Sequence, residues 1–344
     1  MPILSRPQLN AKIVEAIQSG GWNVLYISAI GDSPFEIRIY GEDESYNLRI
    51  YIWNLTHGGR TRSADEYRIQ VKVTRFQQSA GYKTLVLGWS DDLGVFGGFD
   101  VRRHSGRLGY SSSIQISLAT LRRATLNGIS AHDKGNDEVA VGFRPEFFAE
   151  YVRNLESLHD FGQSPRDLRT LETVIENNIA SDTAPDESQV DQASAQRRNI
   201  IRTITQKARD VSFARRVLTA YGNQCVFCSV QLKLIDAAHI IPVAEDGSTD
   251  QTSNGIAACP LHHRAYDHAL ITINPAYETL VSQKRVDYLR GIGFDGGMDE
   301  FVNRLRPIIH VPPDVRDRPN KEYVQRANRL RGWNRIPTTT PTLF

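Results

Sequence analysis

Two pairs of soft ligands at one repeated spacing constrain this chain more than any other feature. Cys225-Val-Phe-Cys228 sets two cysteines three positions apart, and Cys259-Pro-Leu-His262 repeats the spacing with a cysteine and a histidine. Each knuckle presents two ligands to one ion, and two knuckles complete the tetrahedron that Zn²⁺ prefers. Three cysteines cannot pair off, so a disulfide framework accounts poorly for them, whereas paired knuckles in a reducing cytoplasm commonly hold zinc. The expectation is a structural Zn²⁺ site on Cys225, Cys228, Cys259 and His262.

Charge is distributed unevenly along the 344 residues, although the formal net charge is only +2. Residues 1–160 carry 18 basic and 18 acidic groups, residues 161–200 carry 4 and 7, and residues 201–344 carry 19 and 14. The basic excess, all three cysteines and five of the nine histidines (His239, His262, His263, His268, His310) therefore fall in the last segment. No apolar run approaches the roughly 18 residues of a membrane helix. The amino terminus lacks a signal peptide's basic start and unbroken apolar core. A cytoplasmic protein without membrane contact is expected.

Hydrophobic periodicity divides the chain. A helix is predicted over 7–19, with Pro7 in its first turn and Leu9, Ile13, Val14 and Ile17 on one face. Strands are predicted at Trp22–Ala29, Phe35–Tyr40, Leu48–Trp53, Tyr67–Val73, Thr84–Trp89, Val95–Val101, Ser113–Ile116 and Val139–Phe143, with a closing helix over Pro145–Leu158. Residues 1–162 thus read as a mixed α+β domain. A polar helix near Asp167–Ile179 follows. Residues 180–196 are acidic and nearly free of large apolar groups, the composition of a flexible linker, so 163–196 reads as helix and tether. A basic helix over Arg197–Tyr221 opens a second domain, 197–305, and a basic Pro/Arg-rich tail occupies 306–344.

Between the knuckles lie Asp236-Ala-Ala-His239-Ile-Ile-Pro242, Asn254-Gly-Ile-Ala-Ala-Cys259 and Leu261-His-His-Arg-Ala-Tyr-Asp267, entered through Val217–Cys225 and left through Ala269–Asn274. Over about residues 213–284 this pattern resembles the HNH (His-Me finger, ββα-metal) endonucleases, in the branch with an Ala-His-Ile first motif and a His-x-x-x-Asp helix. The resemblance implies a ββα-metal nuclease domain with structural zinc that hydrolyses phosphodiester bonds. It implies His239 as general base, a role suited to an imidazole that titrates near neutral pH. It implies Asn254 as the amide that ties down the loop, and His263 as a ligand of a catalytic Mg²⁺ or Mn²⁺. Asp267, four residues on, shares the helical face of His263 and can bind the same ion. Many relatives carry a metal ligand immediately before the base, where this chain has Ala238; the ion would then rest on His263, Asp267, water and phosphate, or recruit another residue. On spacing alone the adjacent His262 and His263 can exchange roles.

Basic flanks fit a nucleic-acid substrate. Residues 197–216 hold seven basic groups against Asp210, and residues 321–335 hold Lys321, Arg326, Arg329, Arg331 and Arg335 against Glu322. Such clusters neutralise phosphates without reading bases. Arg215, Arg216 and Arg264 are the named candidates for DNA contact, although a solvated helix face accounts for Arg264 as well. The first domain has no charge excess and is rich in aromatics and glycine over Trp89–His104. By the same resemblance it would read the target, including a modified base flipped into an aromatic pocket.

The leading expectation is a bacterial restriction or antiphage endonuclease acting on DNA, although the motif admits RNA. One ββα site cuts one strand, so a double-strand break takes a homodimer or two successive nicks. Two other readings compete: an effector nuclease switched on by a small molecule or protein bound to the first domain, and a non-catalytic zinc protein that binds DNA.

Overall fold

The structure is a computed structural model that describes residues 3–57, 63–109, 112–135, 137–181, 187–333 and 338–339. Its contacts divide the chain into two units, Met1–Ala208 and Arg209–Phe344. The division falls inside the long helix Ala195–Ala220.

In the first unit, helix Arg6–Ser19 buries Leu9, Ile13, Val14 and Ile17, the expected face. Gln8 Oε1 accepts from the Ser5 amide at 2.8 Å, satisfying one of the donors a helix start leaves open. A seven-stranded sheet runs in the order Asn23–Tyr26, Phe35–Tyr40, Ser45–Asn54, Tyr82–Ser90, Val95–Phe99, Val139–Phe143, Ile129–Asp133. Neighbours are antiparallel except Ser45–Asn54 and Tyr82–Ser90, which pair in parallel. Thr56–His57, Glu66–Gln70 and Ser113–Ser117 make a second, three-stranded sheet. Its Ile69, Ile114 and Ile116 share a core with Tyr51, Trp53 and Phe76 from the larger sheet's side.

Helix Leu118–Asn127 and the edge strand Ile129–Asp133 lie outside the sequence reading, as does the short strand Thr56–His57. The helix's signals were local. Ser117 Oγ accepts from the Thr120 amide at 3.1 Å, and Gly128 takes φ +87° where the helix stops.

The aromatic stretch after Trp89 packs as strand core. Trp89, Phe96 and Phe99 are buried, and Trp89 packs on Phe96 at 4.6 Å between centroids. Gly98 leaves room for Tyr151 against the same strand, because a Cβ there would lie 2.3 Å from the Tyr151 hydroxyl.

The expected tether also differs in its described part. Pro165–Ser181 is the helix expected near Asp167–Ile179, and beyond it Glu187–Val190 is also helical, with Val190 and Ala193 buried. Ser194 donates from its amide (3.0 Å) and hydroxyl (2.8 Å) to the Asp167 carboxylate, fixing this segment against the preceding helix. Buried Val190 and Ala193 and the Ser194–Asp167 hydrogen bonds thus order a segment of polar composition. Residues 182–186 lie outside the described residues.

The second unit is a ββα core with additions. Asp236–His239 pairs antiparallel with Gly255–Ala258, setting His239 opposite Gly255, and helix Pro260–Asp267 follows. Ile271–Ile273 pairs with Thr279–Ser282, and helices Gln283–Gly291, Met298–Asn303 and Lys321–Leu330 complete the unit. The region read as a basic tail is built into this core as far as it is described. Ile309, Val324 and Ala327 join the cluster that holds Phe227, Ile256 and Tyr266. The Arg306 and His310 amides donate to the Phe227 and Val226 carbonyls at 2.7 and 3.1 Å. Arg335 lies outside the described residues.

Candidate functional site

The two knuckles converge. One ligand atom from each of Cys225, Cys228, Cys259 and His262 lies within 4.8 Å of all the others. His262 Nδ1 sits 3.1 Å from Cys259 Sγ and 3.6 Å from Cys225 Sγ, and Cys228 Sγ is 4.0 Å from Cys259 Sγ. Ligands at about 2.3 Å from a tetrahedral zinc stand about 3.8 Å apart, so the four atoms already have the size of that polyhedron. Burial pushes all three thiols up and pushes His262 down to about 4. His262 is thus a neutral imidazole, the form that ligates, and a bound ion would displace the thiol protons to solvent. The cluster fits structural zinc.

The hairpin carries the second constellation. Asn254 is fully buried, and its amide spans the loop: Oδ1 accepts from the Ile241 amide at 2.9 Å, and Nδ2 donates to the Thr249 carbonyl at 2.8 Å. The Ile240 amide donates to the Asn254 carbonyl at 2.8 Å. The backbone leaving His239 is therefore pinned from two sides.

His239 lies flat against Phe213, with centroids 3.8 Å apart and planes 12° from parallel. Gly255, its cross-strand partner, makes this possible. A Cβ at 255 would stand 2.3 Å from Val217 Cγ2 and 2.9 Å from Phe213 Cζ, so any side chain there would push the long helix off the hairpin.

On the site helix, His263 lies between two carboxylates. Its Nε2 is 3.4 Å from Asp267 Oδ2, as the four-residue spacing requires, and its Nδ1 is 3.5 Å from Asp236 Oδ2. The neighbouring Asp236 carboxylate pulls the His263 pKa up against burial, and the charge on Asp267 adds to it. Asp236 escaped the sequence reading. Its signal was the strand's period of two, which sets residue 236 on the same side as Ala238, the position where relatives carry a ligand.

Arginines read as phosphate contacts divide. Arg215 and Arg264 are exposed. Arg216 is turned onto the protein: its guanidinium donates to Ser212 Oγ at 2.7 Å and to the Asp250 carbonyl at 2.6 Å. Arg331, from the supposed tail, donates to the Ile240 carbonyl at 2.9 Å, stacks on Tyr266 at 4.5 Å and lies 3.6 Å from Asp267 Oδ1. It ties the strand that bears His239 to the helix that bears His263. His310 packs edge-on against Tyr221, a structural place.

Residues 225–274 match the family model "HNH endonuclease", and residues 46–152 match "Methylase-associated X1". A solved structure described as a modification dependent TagI restriction endonuclease is similar at 11% identity, covering 83% of this chain and 81% of that one, with a TM-score of 0.27. No curated protein sequence matches the chain. No helix among the described residues is long and apolar enough to cross a membrane. The first match spans the knuckles, His239, Asn254, His263 and Asp267 together, and the fold brings these residues into a ββα arrangement; the chain carries an HNH endonuclease domain and is an endonuclease.

Proposed function

We propose that the chain is a metal-dependent DNA endonuclease of restriction type that serves bacterial defence, its first unit reading the target, including a modified base. The observation that carries the chemistry is the pairing of a pinned His239 on the hairpin with His263 and Asp267 on the following helix. His239 takes the proton of the attacking water, and Asn254 holds the loop that keeps its backbone in place. His263 Nε2 and Asp267 Oδ2 form the ligand face, while Asp236 on the opposite ring nitrogen orients the His263 imidazole, the usual partner of a ligating histidine. A divalent cation such as Mg²⁺ or Mn²⁺ held there would stabilise charge developing on the scissile phosphate.

DNA as substrate is supported by the excess of basic groups in residues 201–344 and by Arg215 and Arg264, which are exposed in the nuclease unit. The target-reading role of the first unit is supported by its "Methylase-associated X1" match. The test challenges purified full-length protein with plasmid and phage DNAs carrying different base modifications, with Mg²⁺ or Mn²⁺. Cleavage by the wild type that disappears in His239→Ala and in His263→Ala is expected. Full activity in both variants overturns the proposal.

A further inference from the structure

The loop between the hairpin strands supplies a residue that no motif covers. Asp250 is 7% exposed, and its Oδ1 lies 3.1 Å from His239 Nε2. Its Oδ2 accepts from Arg209 Nε at 3.0 Å and Nη2 at 2.7 Å, while Arg216 Nη2 bonds its main-chain oxygen. His239 is thus held at one edge by a carboxylate and on one face by Phe213. Its other nitrogen, Nδ1, bonds to no protein group among the described residues.

We propose that Asp250, clamped by Arg209, is the positioning residue for His239. It accepts the Nε2 proton, fixes the tautomer whose Nδ1 lone pair acts as base, and stabilises the imidazolium that forms. This rests on the reading of His239 as general base. In the step, the water proton passes to Nδ1 and the water oxygen's electron pair forms the new bond to phosphorus. The bond from phosphorus to the leaving oxygen breaks with its electron pair on that oxygen, which takes a proton from solvent water, and the Nε2 proton stays on the imidazole, hydrogen-bonded to Asp250. Arg209 keeps the proton from passing on. Burial opposes ionisation of Asp250, yet the hydrogen bonds from His239 and Arg209 hold its carboxyl below the usual carboxylate range. The charged groups around His239 are Arg209 and Arg216 from the long helix, Asp250 from the loop, and Arg331 on the adjacent Ile240 carbonyl.

Two variants move His239 in opposite directions. Asp250→Asn removes an adjacent negative charge and admits the wrong tautomer. The plateau rate should fall on the order of 10²-fold, with the acid limb of the pH–rate profile shifted down by about one pH unit. Arg209→Gln removes a positive charge and should shift that limb up by about half a unit, with a loss of about tenfold. A purely structural role would lower both rates and leave both limbs in place.

Rates are measured on supercoiled plasmid and on bis(p-nitrophenyl) phosphate with Mn²⁺, using the full chain. A second measurement needs no turnover: histidine-selective ¹⁵N NMR, with His239→Gln for assignment, reads the tautomer and titration midpoint of His239 in each variant. Nε2–H in the wild type and opposite midpoint shifts in the two variants are expected. Unmoved midpoints, or an intact rate and unmoved limb in Asp250→Asn beside an inactive His239→Ala, overturn this inference alone. An active His239→Ala overturns the reading beneath it.

Discussion

On the site helix, His262 points Nδ1 at three cysteines while His263, the next residue, lies between two half-exposed carboxylates. A helix turns about 100° per residue, so consecutive side chains leave it in different directions and one short helix can serve two ions. Burial drives His262 down to about 4, whereas Asp236 and Asp267 pull His263 up. Soft sulfur in a dry site selects zinc; oxygen ligands open to water suit Mg²⁺ or Mn²⁺. The comparison separates a buried cluster that fits structural zinc from a half-exposed histidine and its two carboxylates, which on the proposed reading face the substrate.

The largest effect that tests this division falls on the buried side. Cys225→Ser or Cys228→Ser should abolish bound zinc and unfold the nuclease unit, since structural zinc contributes about 10 kcal/mol or more to small domains. Metal analysis and hydrogen exchange over residues 209–333 check it; unchanged zinc content would refute the site. Next comes the exposed side. His263→Ala should lower cleavage on the order of 10²- to 10⁴-fold, leaving zinc content and the thermal midpoint in place. His262→Ala should lose zinc. If His262→Ala keeps its zinc and His263→Ala loses it, the two histidines have exchanged roles and the comparison breaks.

What could be read from the chain follows the range of the interactions. The knuckles are legible from their spacing, and His239, Asn254, His263 and Asp267 through the family resemblance, because each motif spans only a few residues. Asp250 shares its loop with Glu245 and Asp246, and nothing local distinguishes the one acid that turns inward to His239. The arginines misled for the same reason. A basic run looks like a phosphate contact until its partners are known, and Arg209 and Arg216 prove to serve Asp250. Arg331 lies 91 residues from the Ile240 carbonyl it bonds, beyond any local pattern. In the first unit the alternating strands were legible, but the parallel pairing of Ser45–Asn54 with Tyr82–Ser90, with two strands of the other sheet between them in the chain, was not.

Packing beneath the open site offers a smaller test. Gly255→Ala should cost about 1–3 kcal/mol, because the added methyl meets Val217 and Phe213 on the long helix. The activity loss should exceed what the loss of folded protein explains, since Phe213 would be displaced from His239. Zinc should be retained in the folded fraction. A variant with wild-type stability and rate would show that the helix gives way without moving Phe213.

The smallest effect separates the two sites by pH. Asp250 is held below its ordinary carboxylate value, so in the unfolded chain it binds protons more readily than in the fold. Its contribution is therefore present above the ordinary carboxylate pKa of about 4 and is lost as pH falls through the lower folded value. Asp250→Asn should consequently be less stable than wild type at pH 6, with the difference narrowing steadily below about pH 4. Chemical denaturation read by hydrogen exchange in the hairpin measures this. The knuckles lose zinc in acid as well, but in both proteins alike, so the difference between the two curves isolates the carboxylate. A constant gap from pH 6 to pH 3 would mean that Asp250 acts as a packed amide-sized group, and that its charge contributes nothing to holding His239.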